Sequence, residues 1–171
     1  MTASEIEISE YNPYYKRYLD LVENIPLLDS LIKGLENIQS FFESLPNEKH
    51  SYRYAEGKWT PKDILQHIID TERVFAYRAL YFARTNNAEL KGFDENIFAD
   101  NALANNRSIE ELLTEHRAVR DATIFLFKNF NLKQLKQIGM ANGSKMSVAA
   151  LGFVICGHEM HHCNIINERY L

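Results

Sequence analysis

Four stretches of this chain space their apolar residues in steps of three and four, and a helix is the regular element that gathers such residues on one side. The first runs from Pro26 to about Leu45, where Leu28, Leu31, Leu35, Ile38, Phe42 and Leu45 form one stripe. Pro26 suits a first helical turn. The second opens at Thr60-Pro61, with Asp63 three residues after the cap, and continues to about Thr85. The third opens at Ser108 with Glu111 in the capping-box position and runs to Phe130. The fourth starts after Ser147 and continues almost to Leu171, and a shorter helix is expected from Pro13 to Glu23. Between the second and third lie the 22 residues Asn86 to Arg107, a length that in a compact domain is functional or carries a short helix. Ala141-Asn142-Gly143-Ser144 reads as a hairpin-like turn, and nothing else resembles a strand. The expected fold is all-α: an antiparallel four-helix bundle formed by residues 1–171 as a single domain, with a short extra N-terminal helix and a small hairpin-like turn before the last helix.

Charge and composition narrow the function. Hydrophobic residues make up 46% and charged residues 25% of the 171, a globular profile. A net charge of -4, with no basic stripe beyond Lys133 and Lys136, argues against a nucleic-acid partner. The longest apolar stretch, Ser147 to Cys156, is too short to span a bilayer, and no apolar segment follows a basic start. A cytoplasmic protein without a membrane partner is expected. Cys156 and Cys163 are seven residues apart on one helix, about 10 Å, so they read as reduced core residues and not as a disulfide.

The chemistry concentrates in Gly157-His158-Glu159-Met160-His161-His162. On a helix His158 and His162 project side by side, a spacing that suits two imidazoles on one metal ion. They share their side with Val148, Leu151, Val154, Ile155, Ile165 and Ile166, so they face the interior, where imidazoles need a partner or an ion. His161 falls at the edge of that stripe. A third ligand must come from another helix. His67 lies with Thr71, Val74 and Arg78; His116 lies with Leu112, Leu113, Val119, Thr123 and Phe127. Periodicity alone does not choose between them. His158-Glu159-x-x-His162 also matches the zinc-protease signature, but only nine residues follow His162 and no turn-forming glycine leads to a third ligand. Glu159-x-x-His162 is half of a di-iron pattern whose second half is missing.

The run from Lys58-Trp59-Thr60-Pro61 through Gln66-His67-Ile68 to Arg78-Ala79-Leu80 resembles the second-helix signature of the DinB/YfiT-like metalloenzyme family. Gly92-Phe93-Asp94-Glu95, Arg117-Ala118-Val119-Arg120, Ala141-Asn142-Gly143, the histidine motif and Glu168-Arg169-Tyr170-Leu171 are similar in the same order, from about Tyr14 onward. The resemblance implies a four-helix bundle, a homodimer, and a three-histidine site for nickel or zinc. It places the ligands on His67, His158 and His162, with His116 as a departure where relatives are more often apolar. It also implies a metal-dependent hydrolase or, as an alternative, a thiol S-transferase using a low-molecular-weight thiol; the competing class is a non-catalytic dimer that binds metal and a small molecule. Three imidazoles leave positions of a divalent transition metal open to water or a small-molecule substrate. Arg78 and Arg120 are candidate anion-binding residues, and Asp94 and Glu95 candidate acids or bases. Glu159 is expected to orient a ligand imidazole or to bond the neighbouring helix.

Overall fold

The computed structural model describes residues 1–171. The long helices start where the caps predict: Thr60 and Ser108 both close full capping boxes, opening α3 (Pro61–Arg84) and α5 (Ile109–Lys128). Ser147 caps α7 (Val148–Arg169), and α2 spans Leu27–Ser44. The expected N-terminal helix is shorter than Pro13 to Glu23: a 3-10 turn, Pro13–Tyr15, leads into α1, Lys16–Leu19. The Asn86–Arg107 connection carries α4, Glu95–Ala102, while α6 is a single turn, Leu132–Leu135.

Two expectations need correction. The chain is not wholly helical, because a three-stranded sheet orders β1 (Glu89–Leu90), β2 (Ile138–Ala141) and β3 (Ser144–Ser147) side by side. The hairpin β2–β3 turns at Asn142-Gly143, and β1 joins it in parallel through Glu89↔Met140 and Leu90↔Ala141. The bundle is also not antiparallel at every interface. Helix α3 packs on α7 and α5, and α2 packs on the same two, which leaves α2 diagonal to α3. Leu27 meets Gly152 and Gly34 meets Glu159, so α2 and α7 run parallel. Arg107, just before α5, reaches Gln66 near the start of α3, and Arg120 farther along α5 reaches Glu72 farther along α3, so α3 and α5 run parallel as well. The pairs α2–α5 and α3–α7 are antiparallel, as shown by Arg120 on the Leu31 carbonyl with Gln39 on Leu113, and by the clusters that group Ile64 and Ile68 with Ile166 but Phe75 and Phe82 with the start of α7.

The interior is divided along the bundle. One apolar cluster holds Leu27, Leu31, Phe75, Phe82, Phe127 and the start of α7; another holds Ile38, Phe42, Ile64, Ile68, Leu112 and Ile166. Between them lies a polar layer. Arg120, fully buried, donates to both oxygens of Glu72 at 2.9 Å, to Glu159 Oε2 at 2.6 Å and to the Leu31 carbonyl at 2.9 Å. Gly34 makes room for it, since a Cβ there would lie 2.0 Å from Glu159 Oε1 and 2.7 Å from Arg120 Nη1. No helix is long and apolar enough to cross a membrane.

Candidate metal centre

Three side chains from two helices meet beside that polar layer. His67 stands about two turns into α3, and His158 and His162 stand one turn apart on α7. His158 Nε2 lies 3.1 Å from His67 Nε2 and 3.0 Å from His162 Nε2. The donor atoms of all three lie within 4.8 Å of one another. Burial disfavours a second proton on each ring: His67 is lowered to about 4, and His158 and His162 lie well below the usual imidazole value of 6.5, with mutual repulsion adding to the effect. All three therefore present neutral nitrogens at neutral pH.

Neighbours fix the rings. Trp59 lies over His67 with centroids 4.8 Å apart, and the Thr71 hydroxyl sits 3.5 Å from His67 Nδ1, leaving Nε2 turned into the cluster. Tyr18 meets His158 edge-on at 5.5 Å and His161 at 5.4 Å. Its place explains Gly157: a Cβ there would lie 2.0 Å from the Tyr18 carbonyl oxygen, so only glycine lets α1 rest on α7 next to the first histidine of the pair. The N-terminal arm is held in turn by the Tyr11–Met146 bridge and by Asn12 N–H donating to the Lys145 carbonyl.

The donor set fits a divalent ion. With metal–nitrogen bonds of about 2.0–2.1 Å, two ligand nitrogens are separated by about 2.9 Å at a right angle and about 3.3 Å at a tetrahedral angle. The contacts of His158 with His67 and with His162 fall within that interval, and the third pair of donors lies within 4.8 Å. Hydrogen bonding alone serves the cluster poorly: a single ring nitrogen has either one proton or one lone pair, so His158 Nε2 cannot satisfy two such contacts well.

The cluster opens on a cavity of about 610 Å³ between α1, α3, α4 and the β2–β3 turn. Arg78, Glu95 and the half-buried His161 line it. Other sequence candidates lie elsewhere. His116 is fully buried in the polar layer, with Nδ1 3.5 Å from Gln39 and Nε2 3.9 Å from Glu159. Arg120, a candidate for binding an anion, is committed to two internal carboxylates; Glu159 bonds the neighbouring helix through it, the second of its two expected roles. Asp94 accepts from the N–H groups of Asn96 and Ile97 as the cap of α4, while Glu95 beside it faces the cavity. Sequence reasoning did not single out Trp59, Tyr15, Tyr18 or Arg17 as site residues; for the last three the signal was the aromatic cluster Tyr14-Tyr15-Tyr18 running into α1, with Arg17 inside it.

Comparison with known proteins agrees with this architecture. YfiT from Bacillus subtilis, described as a probable metal-dependent hydrolase with an unusual four-helix bundle topology, superposes with a TM-score of 0.76. It is 15% identical, over 94% of this chain and 92% of its own. The DinB-like protein YjoA, also from Bacillus subtilis, superposes with a TM-score of 0.58 at 16% identity, over 83% of this chain and 87% of its own. At such identities the likeness establishes the fold alone. No curated protein matches the sequence. The DinB superfamily profile matches residues 30–166, which include all three clustered histidines and the four long helices apart from their outermost turns, and the chain belongs to that superfamily.

Proposed function

We propose that this chain is a metal-dependent enzyme that holds one nickel or zinc ion on His67, His158 and His162 and hydrolyses a small molecule bound in the adjoining cavity. The observation that carries the reading is the convergence of three neutral imidazoles, two buried and His162 half-buried, on one point of the cavity wall. The description of YfiT as a probable metal-dependent hydrolase agrees with it. A divalent ion bound there would act as a Lewis acid that polarises a carbonyl or activates water. The chain's own residues do the rest. Trp59 and Tyr18 wall the cluster and limit water, and His161 and Glu95 offer proton acceptors on the cavity surface. Burial pushes the Tyr18 phenol up to about 12, so it stays protonated.

Elemental analysis of untagged protein tests this, alongside a His67→Ala/His158→Ala variant. About one transition-metal ion per chain, lost in the variant, is expected; wild-type protein that takes up no ion on reconstitution with nickel or zinc would sink the reading.

One feature favours group transfer to a thiol as a second reading. A further cavity of about 290 Å³, lined by Tyr54, Ile165 and Tyr170, shares Trp59, Asn96 and His162 with the first. Two chambers meeting at a ligand histidine suit two reactants. Turnover of esters or amides without added thiol supports hydrolysis, whereas products that form only with thiol, as adducts, support transfer.

A further inference from the structure

The two arginines of the cavity wall differ. Arg17 is exposed and already engaged, its guanidinium 4.0 Å over the Tyr14 ring and 2.9 Å from the Tyr18 hydroxyl to which it donates. Arg78 is 5% exposed, packed against the rings of Phe75 and Phe93 at 5.2 and 5.8 Å, and has no carboxylate within ion-pair distance. Its polar neighbour is the Tyr15 hydroxyl. None of its nitrogens is both dry and unpartnered, so the fork opens on the cavity. Arg120 stands in contrast: that buried guanidinium has two carboxylates and a carbonyl around it. A buried cation without a counter-ion is unfavourable, and it becomes favourable when an anion arrives from outside.

Arg78 is also well placed relative to the histidines. It follows His67 by eleven residues, three full turns plus about 20°, so the two share one face of α3 with their Cα atoms about 16 Å apart. Helical side chains lean toward the N-terminus, which carries the guanidinium back over Thr71 and Phe75 toward the cluster. We propose that the cavity admits an elongated small organic acid whose carboxylate is gripped by the Arg78 fork and the Tyr15 hydroxyl, its reacting end lying at His67, His158 and His162. The placement of that reacting end rests on the metal-centre reading above. A flat fork matches the two coplanar oxygens of a carboxylate. A phosphate dianion is disfavoured, because only one arginine is uncommitted and Glu95 lies on the same wall. Phe75 and Phe93 cover an apolar chain running between the two ends.

Trp59, the single tryptophan, lines the cavity and reports binding by fluorescence with or without metal. We would titrate 8-mercaptooctanoate and 8-mercaptooctanamide into metal-free and cobalt-loaded protein. The acid is expected to bind wild type at least about tenfold more tightly than the amide. Arg78→Gln should abolish that preference without changing the amide's affinity, and Arg78→Lys, which keeps the charge without the fork, should retain about threefold of it. If Arg78→Gln fails to fold, Tyr15→Phe, expected to lower the preference about threefold, carries the test together with Arg78→Lys. An equal preference in wild type and variants, no preference in wild type, or tighter binding of octyl phosphate than of octanoate overturns the proposal. Cobalt–thiolate absorption reads the other end separately. An acid preference seen through Trp59 in protein that takes up no cobalt would sink the metal reading and leave the Arg78 assignment standing.

Discussion

Replacing Arg120 by Met tests whether the polar layer holds the bundle together. The change leaves Glu72 and Glu159, each 2% exposed, facing one another without a counter-ion, and it removes the donor to the Leu31 carbonyl. Burial pushes both carboxyls up. In the native protein Arg120 outweighs that for Glu72, which stays below its ordinary value, but not for Glu159, which rises to about 7. Breaking one partner out of a buried ion pair costs about 3–5 kcal/mol. Without Arg120 both folded-state values rise above the unfolded value near 4.5. A raised carboxyl destabilises the folded state above its folded value and has no effect below the unfolded one. The deficit should therefore be about 4 kcal/mol at pH 7.5 and shrink to about 1–2 kcal/mol at pH 4.5, where the lost hydrogen bonds remain. Urea unfolding followed by circular dichroism at both pH values measures it. At neutral pH the melting temperature should drop by roughly 10 °C for a chain of this size. A deficit under about 1 kcal/mol at pH 7.5, or one that does not change with pH, would refute the account.

Two further outcomes follow from the site. Gly157→Ala brings a methyl group to 2.0 Å from the Tyr18 carbonyl, so α1 must lift off α7; stability should fall by about 2–3 kcal/mol, and amide exchange should show α1 losing protection first. A variant as stable as wild type would mean that α1 does not rest there. Metal affinity should hardly depend on pH in the mildly acidic range. Three solvated imidazoles would lose about 1,000-fold in affinity at pH 5.5, each being about ten-to-one protonated. Here burial holds His67 at about 4 and the α7 pair well below 6.5, so proton competition begins only as pH falls toward 4. Cobalt titrations at pH 7.5 and 5.5 should differ less than about tenfold, and a 1,000-fold loss would show the site to be open to water.

What could be read from the sequence is what lies within one helix. Thr60 with Asp63 and Ser108 with Glu111 announced two helix starts, and His158 with His162 announced a shared face, because each depends on residues three or four apart. What depends on two helices could not be read the same way. His67 and His116 both sit on buried faces, and periodicity gives a direction around the axis, not the neighbour found there; the bundle brings His67 to His158 and His116 to Gln39 and Glu159. Arg120 on an apolar face looked available for a ligand because Glu72 and Glu159, its partners, lie 48 and 39 residues away on other helices. The strand Glu89–Leu90 is too short to have a period at all. The packing order, though, left a trace in connection length. Antiparallel neighbours in a bundle need only a short turn, whereas parallel neighbours need a chain long enough to return the full length of a helix. Helix α3, at 24 residues, is about 36 Å long, and the connection from Asn86 to Arg107, with α4 inside it, makes that return. The same connection brings Phe93, Glu95 and Asn96 to the cavity wall, so the length that set α5 parallel to α3 also built one side of the site.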